Sequence, residues 1–497
     1  MTALTFYGGV NEIGGNKVLL EDNGTRVFLD FGMSFGTVNN YFSEFLQPRK
    51  CNGLGDFIEF GLIPDLKGIY RLDFLKQMGR PQEDLEFQGL LLSHAHADHA
   101  SYVNHLREDL PIYCSDETYH ILKAINDTGS GSFTDITDLT KCFETYVNKK
   151  GEISRKTSLT HPDIVVQREF HTFKFKEKFK IDHLVIEPFN VDHSLSGATG
   201  YIIHTSSGTI VYTGDFRFHG RREKETVEFM EACRVAKPDL LIIEGTRVEE
   251  ESSKKEAEVE DEIYSISSKA KGLSVCNWSI RDTDRLLSFL NAAKKMDRKL
   301  VISLKQAYLL EELSKCADTI TPSIDDENIE LYASRKSWGL IGSDCCEKMR
   351  NQDYDTWERS YLDRAICYKD LRDNQANYLM FCSNFDLKEL VDIKPTAGSV
   401  YIKSVCEPFD AEMEIDWERI ENWIKHFGMN ISSTHVSGHA SGLQLKDFVG
   451  QVGPRTIIPI HTESAKTYEK WSSGVHILKG AGESYSLERA QRNVLTN

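Results

Sequence analysis

Long apolar runs are missing from this 497-residue chain. None reaches the ~18 residues that a membrane-crossing helix needs, so no membrane partner is expected. The opening stretch MTALTFYGGVNEIGGN has no basic region followed by an apolar one. It does not read as a signal peptide, and a cytoplasmic location is expected. Cysteine occurs 11 times but never as CxxC, so structural zinc built from these cysteines is not expected. With an odd number and no secretion signal the thiols are expected to be reduced; the adjacent Cys345 and Cys346 add nothing to that. Internal repeats and low-complexity tracts are also absent, which excludes solenoids and arrays. Positive charge is scarce. Lys and Arg total 59 against 76 Asp and Glu, a formal charge of −17, which argues against a wholly basic surface that grips nucleic acid indiscriminately. A nuclease is still allowed, because bound divalent cations and a local groove of Lys and Arg attract phosphate to an acidic protein.

The length exceeds one ordinary core, so two domains or one split domain is expected. Up to about residue 245, short apolar runs alternate with turns: TRVFLDFG, FQGLLLSH, HLVIEPFNVDHS, ATGYIIHTSSGTIVYTGD and PDLLIIEGT. Each reads as a strand or strand pair ending at a polar residue, with a hairpin at TSSGTI. The charge run RVEEESSKKEAEVEDEI follows and reads as a solvated helix face at a junction. Beyond it, strands such as GLSVCNW, KLVISLK, NIELYAS, NYLMFCS and GSVYIKSV alternate with helices such as DTDRLLSFLNAAKKM, AYLLEELSK and DWERIENWIKHFG. That alternation predicts a parallel α/β sheet. The final ~70 residues return to the first style, with RTIIPIHTES a strand ending in a histidine. The expected organisation is a first part at 1–247, an insertion at 248–427 and a return at 428–497.

The strand GLLLS runs into SHAHADHA. His94 and His96 alternate along an extended segment and can point the same way at one ion. Asp98 and His99, past the bend, can turn to a second. Imidazole with carboxylate suits Zn²⁺ and tolerates Mn²⁺ or Fe²⁺. The loop alone has too few ligands, and three strand ends offer more: His193 in VDHSLSG, Asp215 in YTGDFRF and His461 in IPIHTES. Together they complete a site for two divalent metal ions.

The order Asp30 at a strand end, HxHxDH, His193, Asp215 resembles the metallo-β-lactamase superfamily. The resemblance implies an α/β fold, an αβ/βα sandwich with two metals at the sheet edges. Carried over by motif, His94, His96 and His193 hold the first ion, Asp98, His99 and His461 the second, and Asp215 bridges them, while Asp30 steadies the loop. About 246 positions separate Asp215 from His461, enough for an inserted domain. This layout resembles the β-CASP branch, which acts on nucleic acids. Its motif A is matched by Glu244 in LLIIEGTR, motif B by His439 in HVSGHASG and motif C by His461. Within the branch SGHAS, IPIHTE and the opening GGVNEIGGNK resemble the ribonuclease J group, archaeal members included, over nearly the whole chain. Three departures stand out: a long loop between Asp30 and HxHxDH, LMFCSNFDLKEL where the group carries a glycine- and proline-containing loop, and no fit to a bacterial-type extra domain after Gly480.

The resemblance implies a metal-dependent ribonuclease, with Zn²⁺ (or Mn²⁺), acting 5′→3′ on single-stranded RNA as a homodimer. A leaving ribose 3′-oxygen needs a proton, and a histidine is a suitable donor. The family pairing gives that role to His439, oriented and kept protonated by Glu244, with Asp98 and Asp30 also at the catalytic centre. Backbone N–H groups and hydroxyls of Ser437, Gly438, His439, Ala440 and Ser441 are expected to hold a neighbouring phosphate. Arg247, Arg281 and Arg285 are read as salt-bridged helix residues ahead of phosphate contacts. The competing readings are an endonuclease or 3′-end-processing enzyme, a small-ester or thioester hydrolase with an insertion, and an inactive RNA-binding scaffold.

Overall fold

Strands from the two ends of the chain build two sheets that face each other. The computed structural model describes residues 1–43, 45–129, 134–251, 254–317, 319–341, 346–407 and 411–487, so Cys345 and part of the charge run lie outside the described residues. The first sheet has the order Phe170–Phe173, Ile112–Ser115, Gly89–Leu91, Thr25–Leu29, Lys17–Asp22, Thr2–Gly8 and Glu483–Leu487. The second runs Phe179–Ile181, Leu184–Asn190, Thr199–His204, Thr209–Tyr212, Leu240–Ile243 and Thr456–Pro459. Side chains alternate across each strand. Leu4, Phe6, Val18, Leu20 and Val27 therefore meet Ile186, Tyr201, Ile203, Ile242 and Ile458 between the sheets. The opposite residues pack outward under helices: Leu19, Phe28 and Leu90 on one side, Ile202, Val211, Leu241 and Ile457 on the other. This is an α/β sandwich with helices outside two sheets.

The long segment between Asp30 and the histidine loop is not a loose excursion. It forms the helices Phe35–Asn39, Gly55–Glu59 and Leu72–Gln77. It buries Phe42, Leu54, Ile63, Ile69, Tyr70 and Phe74 against the outer face of the first sheet.

The middle of the chain forms a third sheet, ordered Ile329–Tyr332, Lys299–Ser303, Tyr378–Phe381, Ser274–Asn277, Val400–Lys403 and Asn430–Ser433, with every pairing parallel. Helices cover both faces, as parallel strands require. The return boundary expected at 428 needs correction. Asn430–Ser433 pairs with Val400–Lys403, so the insertion runs past residue 433. The charge run is also less solvated than expected: Glu256, at the start of helix Glu256–Ser267, is buried against Arg285.

Candidate metal centre

One register decides where the site lies. Leu240–Ile243 and Thr456–Pro459 are parallel neighbours, with Ile243 opposite Pro459. Residues more than 200 positions apart thus leave the same sheet edge together, Glu244 from one strand and His461, two residues beyond, from the other. Leu184–Asn190 and Thr209–Tyr212 end at that edge too and deliver His193 and Asp215. From the facing sheet, Gly89–Leu91 delivers the histidine loop, which bends at the short helix Ala97–Ala100.

The loop's shape depends on the opening hairpin. Asn16 N–H donates to Asp98 O (3.0 Å), Phe31 N–H to His99 O (2.8 Å) and Met33 N–H to Ala97 O (3.1 Å). Backbone packs so closely there that a Cβ on Gly32 would lie 1.8 Å from Asp98 O. GGVNEIGGNK and the FG after Asp30 are therefore the mould of the histidine loop.

The donor atoms converge. His96 Nδ1 is 2.9 Å from His94 Nε2 and 3.1 Å from His193 Nε2. Asp98 Oδ2 lies 3.0 Å from His461 Nε2 and 3.8 Å from His99 Nε2. Asp215 Oδ2 is shared, 3.7 Å from His94 Nε2, 3.1 Å from His99 Nε2 and 3.7 Å from His461 Nε2. Two groups result, His94, His96, His193 with Asp215, and Asp98, His99, His461 with Asp215. Ligands around a tetrahedral Zn²⁺ stand roughly 3.3–3.8 Å apart, which these spacings approach without rearrangement.

Burial and electrostatics fit divalent cations. Among the described residues Asp215 Oδ1 is buried without a hydrogen-bond partner and Oδ2 meets only histidine rings, a costly state for a carboxylate unless a cation is held there. Burial keeps the imidazoles of His94 and His193 far below their ordinary pKa, and that of His96 down at about 3, so their lone pairs are available. Burial acts on His99 and His461 in the same direction, but Asp215 and Asp98 outweigh it and raise both. Asp98 and Asp215 resist their own burial through these histidines and stay well below the carboxylate range.

Three of the candidate ligands, His99, His193 and His461, are aimed by a second group. Asp30, fully buried with φ 57°, does not enter the centre. It accepts from Ser93 N–H (2.6 Å), the Ser93 hydroxyl (2.7 Å) and the Tyr212 hydroxyl (2.6 Å), and holds His99 Nδ1 at 2.7 Å. His193 Nδ1 donates to Gly438 O (2.6 Å), and Thr246 Oγ1 lies 2.8 Å from His461 Nδ1. Such contacts fix the tautomer and ring orientation of a metal ligand. Tyr212, Ser93, Thr246 and the Gly438 carbonyl were invisible in the sequence, since hydroxyls and carbonyls carry no spacing signal.

Beside the centre, His439 Nδ1 sits 2.8 Å from Glu244 Oε2 and 3.8 Å from Asp215 Oδ2. Glu244 also accepts from Phe216 N–H (2.9 Å). Burial works against a charge on His439, yet Glu244 and Asp215 prevail and push its imidazole up to about 9. The expected phosphate loop is only partly available. Ala440 N–H is spent on Phe216 O (2.7 Å), Ser441 N–H on Gln444 Oε1 (3.0 Å) and His439 N–H on Ser437 Oγ (3.1 Å). A tight turn into the capped helix Gly442–Val452 consumes these donors, and within SGHAS Ser437, Gly438 and His439 are half-buried while Ala440 and Ser441 are buried.

The three arginines diverge. Arg285 is fully buried and paired with Glu256 (2.8 Å), and Arg247 pairs with Glu250. Arg281, half-buried one residue before the N-cap Asp282 of helix Thr283–Lys295, makes no hydrogen bond or ion pair among the described residues. Its charge faces the centre, helping to depress His96 and interacting favourably with Asp98. The salt-bridged reading thus fails for Arg281 and holds for the other two.

Residues 68–265 match a beta-lactamase superfamily domain, and residues 427–472 match a Zn-dependent metallo-hydrolase RNA specificity domain. Ribonuclease J of Pyrococcus abyssi is 23% identical over 487 residues, 93% of this chain and 90% of that protein. Ribonuclease J 2 of Streptococcus pyogenes is 22% identical, covering 95% of this chain and 73% of the relative. Over nearly its whole length the chain is thus similar to ribonuclease J proteins, and its residues 68–265 carry the beta-lactamase superfamily domain. Among solved structures, a protein of unknown function from Enterococcus faecalis superposes with a TM-score of 0.71 at 22% identity, over 97% of this chain and 99% of that one, a likeness of fold. The RNA specificity match spans both His439 and His461.

Proposed function

We propose that this chain is a metal-dependent ribonuclease that hydrolyses single-stranded RNA from the 5′ end. The observation that carries the reading is the Glu244–His439 pair, 2.8 Å apart and 3.8 Å from the carboxylate shared by both ligand groups. A thioester hydrolase expels a stable thiolate and has no use for a protonated histidine there. A scaffold without activity has no use for seven converging ligands.

His94, His96 and His193 would hold one divalent ion, Asp98, His99 and His461 a second, with Asp215 between them; zinc suits this nitrogen and oxygen set. Held there, two such ions lower the pKa of an attacking water and neutralise charge on the phosphate. The chain's own residues do the rest. Asp30, Thr246 and the Gly438 carbonyl keep His99, His461 and His193 aimed. As the attacking oxygen joins phosphorus, the bond to the ribose 3′-oxygen breaks, and His439 Nε2–H gives that oxygen its proton. Glu244 holds the opposite nitrogen and stabilises the charged imidazolium before transfer. Arg281 faces the centre from the inserted unit and is placed to meet the phosphate. We place the insertion at about 248–434, the enzyme in the cytoplasm and its active form as a homodimer; among the described residues no helix is long and apolar enough to cross a membrane.

The test is cleavage of one 3′-labelled single-stranded RNA bearing a 5′-monophosphate or a 5′-triphosphate, with Zn²⁺ or Mn²⁺. Progressive shortening of the monophosphate form alone is the expected result. Internal cuts indifferent to the 5′ end would make it an endonuclease, and inert RNA would overturn the substrate class.

A further inference from the structure

Away from this centre, one cluster combines three kinds of metal-ligating side chain. Helix Asp116–Thr128, which follows the strand Ile112–Ser115, carries Asp116 and His120 one turn apart. Helix Leu304–Leu313 of the inserted unit packs against it, burying Leu309 and Leu313 with Ile121 and Leu122. Just past its end, Cys316 reaches the same spot. A carboxylate oxygen of Asp116, a ring nitrogen of His120 and the Cys316 sulfur all lie within 4.8 Å of one another. Asp116 Oδ1 and His120 Nε2 are 3.9 Å apart, close to the roughly 3.3–3.8 Å of a tetrahedral zinc edge.

The histidine is prepared for this use. Its Nδ1 lies 2.9 Å from Glu312 Oε2. A carboxylate can only accept, so Nδ1 carries a proton, and Nε2, which faces Asp116, is the nitrogen an ion would take. That carboxylate–imidazole relay is how metal-bound histidines are held. The thiol argues in the same direction. Cys316 is only 7% exposed. Burial, Asp116, Glu117 and Glu312 all push its pKa up, the reverse of the electropositive setting a nucleophilic cysteine needs. A Cys-His-Asp hydrolytic centre is therefore a poor reading, whereas a pocket of carboxylates around a thiol draws a cation. The Asp116 side chain is 45% exposed, which gives an ion a way in and water a place in its coordination.

We propose that Asp116, His120 and Cys316 form a further divalent-cation site, suited to zinc, that staples the inserted unit to the metallo-β-lactamase unit. The staple would bear on the catalytic cleft. At the start of the same helix, the hydroxyls of Ser115 and Thr118 donate to Gly197 O at 2.7 and 3.2 Å, and Gly197 ends the loop that begins at His193. The proposal is independent of the ribonuclease reading. It was closed to sequence inspection because its ligands come from segments nearly 200 positions apart, with no CxxC to flag them.

Cobalt substitution tests it. The centre described above has only nitrogen and oxygen ligands, so a thiolate-to-cobalt charge-transfer band in the near ultraviolet can come only from a cysteine site. The expected result is that band in Co²⁺-loaded wild type, lost in both Cys316→Ser and His120→Ala, with each variant binding one metal equivalent less. If Cys316→Ser does not fold, His120→Ala and Asp116→Asn, which keep the thiol, report the same band and count. No band in wild type, a band that survives His120→Ala, or an unchanged metal count would overturn the proposal, whatever the protein does to RNA.

Discussion

Glu244→Gln separates a protonated catalytic histidine from a merely structural one. The substitution keeps the shape of the side chain and can leave a hydrogen bond to His439, but it removes the negative charge. Burial alone drives an imidazole down; Glu244 and Asp215 hold His439 at about 9. With divalent ions at the centre, the charge of Asp215 is largely spent on them, and Glu244 becomes the main support for the proton. Near pH 7.5 a group with a pKa of about 9 is almost wholly protonated, whereas one returned to the ordinary imidazole value of about 6.5 is protonated roughly one time in ten. Single-turnover cleavage by Glu244→Gln should therefore fall about tenfold at pH 7.5 and recover most of that loss near pH 6, the basic limb of the profile moving to lower pH. His439→Ala should lose roughly 10²–10⁴-fold at every pH with metal content intact. A Glu244→Gln profile with its basic limb unmoved, or normal cleavage by His439→Ala, would refute the general-acid assignment.

Metal uptake should itself depend on pH. In the absence of ions, His99 and His461 have raised pKa values. A divalent cation must displace those protons, so affinity should fall as pH falls, and calorimetric titration at pH 8 and pH 6 giving equal affinities would contradict this. Arg281→Ala removes a cation that has no hydrogen-bond or ion-pair partner among the described residues, so the fold and metal content should survive while kcat/KM for RNA drops roughly ten- to a hundredfold, as for loss of a charge-assisted hydrogen bond; unchanged kinetics would return Arg281 to the surface. Gly32→Ala puts a methyl group where Asp98 O already lies, 1.8 Å from the added carbon. It should lower both thermal stability and bound metal, and a fully loaded variant would show that the hairpin does not mould the histidine loop.

The candidate ligands were legible because metal chemistry demands particular residue types, and strand ends are where a sheet can present them. His94, His193, Asp215 and His461 each follow an apolar run that could be recognised without coordinates. What aims them was not legible, because a hydroxyl such as that of Thr246 or a carbonyl such as that of Gly438 is too common to signal anything. The insertion boundary failed for a different reason. Asn430–Ser433 is a polar edge strand with little burial, so it lacks the apolar pattern by which the other parallel strands announced themselves. Arg281 and Arg285 show the same limit at a single helix start. They are one turn apart, and only the placement of Glu256 decides that one is neutralised and the other left facing the centre.

The inserted unit is tied to the ligand loops by buried charge. Arg217, two residues after Asp215, pairs with Asp192 (3.1 Å) and with Asp284 (2.6 Å) of helix Thr283–Lys295. Arg222 pairs with Asp284 (3.0 Å) and donates to His193 O (2.8 Å). All four charged groups are at most 5% exposed. Burying so many charges contributes little net stability, because desolvation offsets most of the attraction. What it does supply is geometry, since each partner left alone would be a buried unpaired charge, and the network tolerates only one arrangement. The loops that carry His193 and Asp215 therefore cannot shift relative to the helix that begins just after Arg281. Ligands from the two sheets and an arginine from the insertion are held as one constellation, the fixed placement that attack on a phosphate requires.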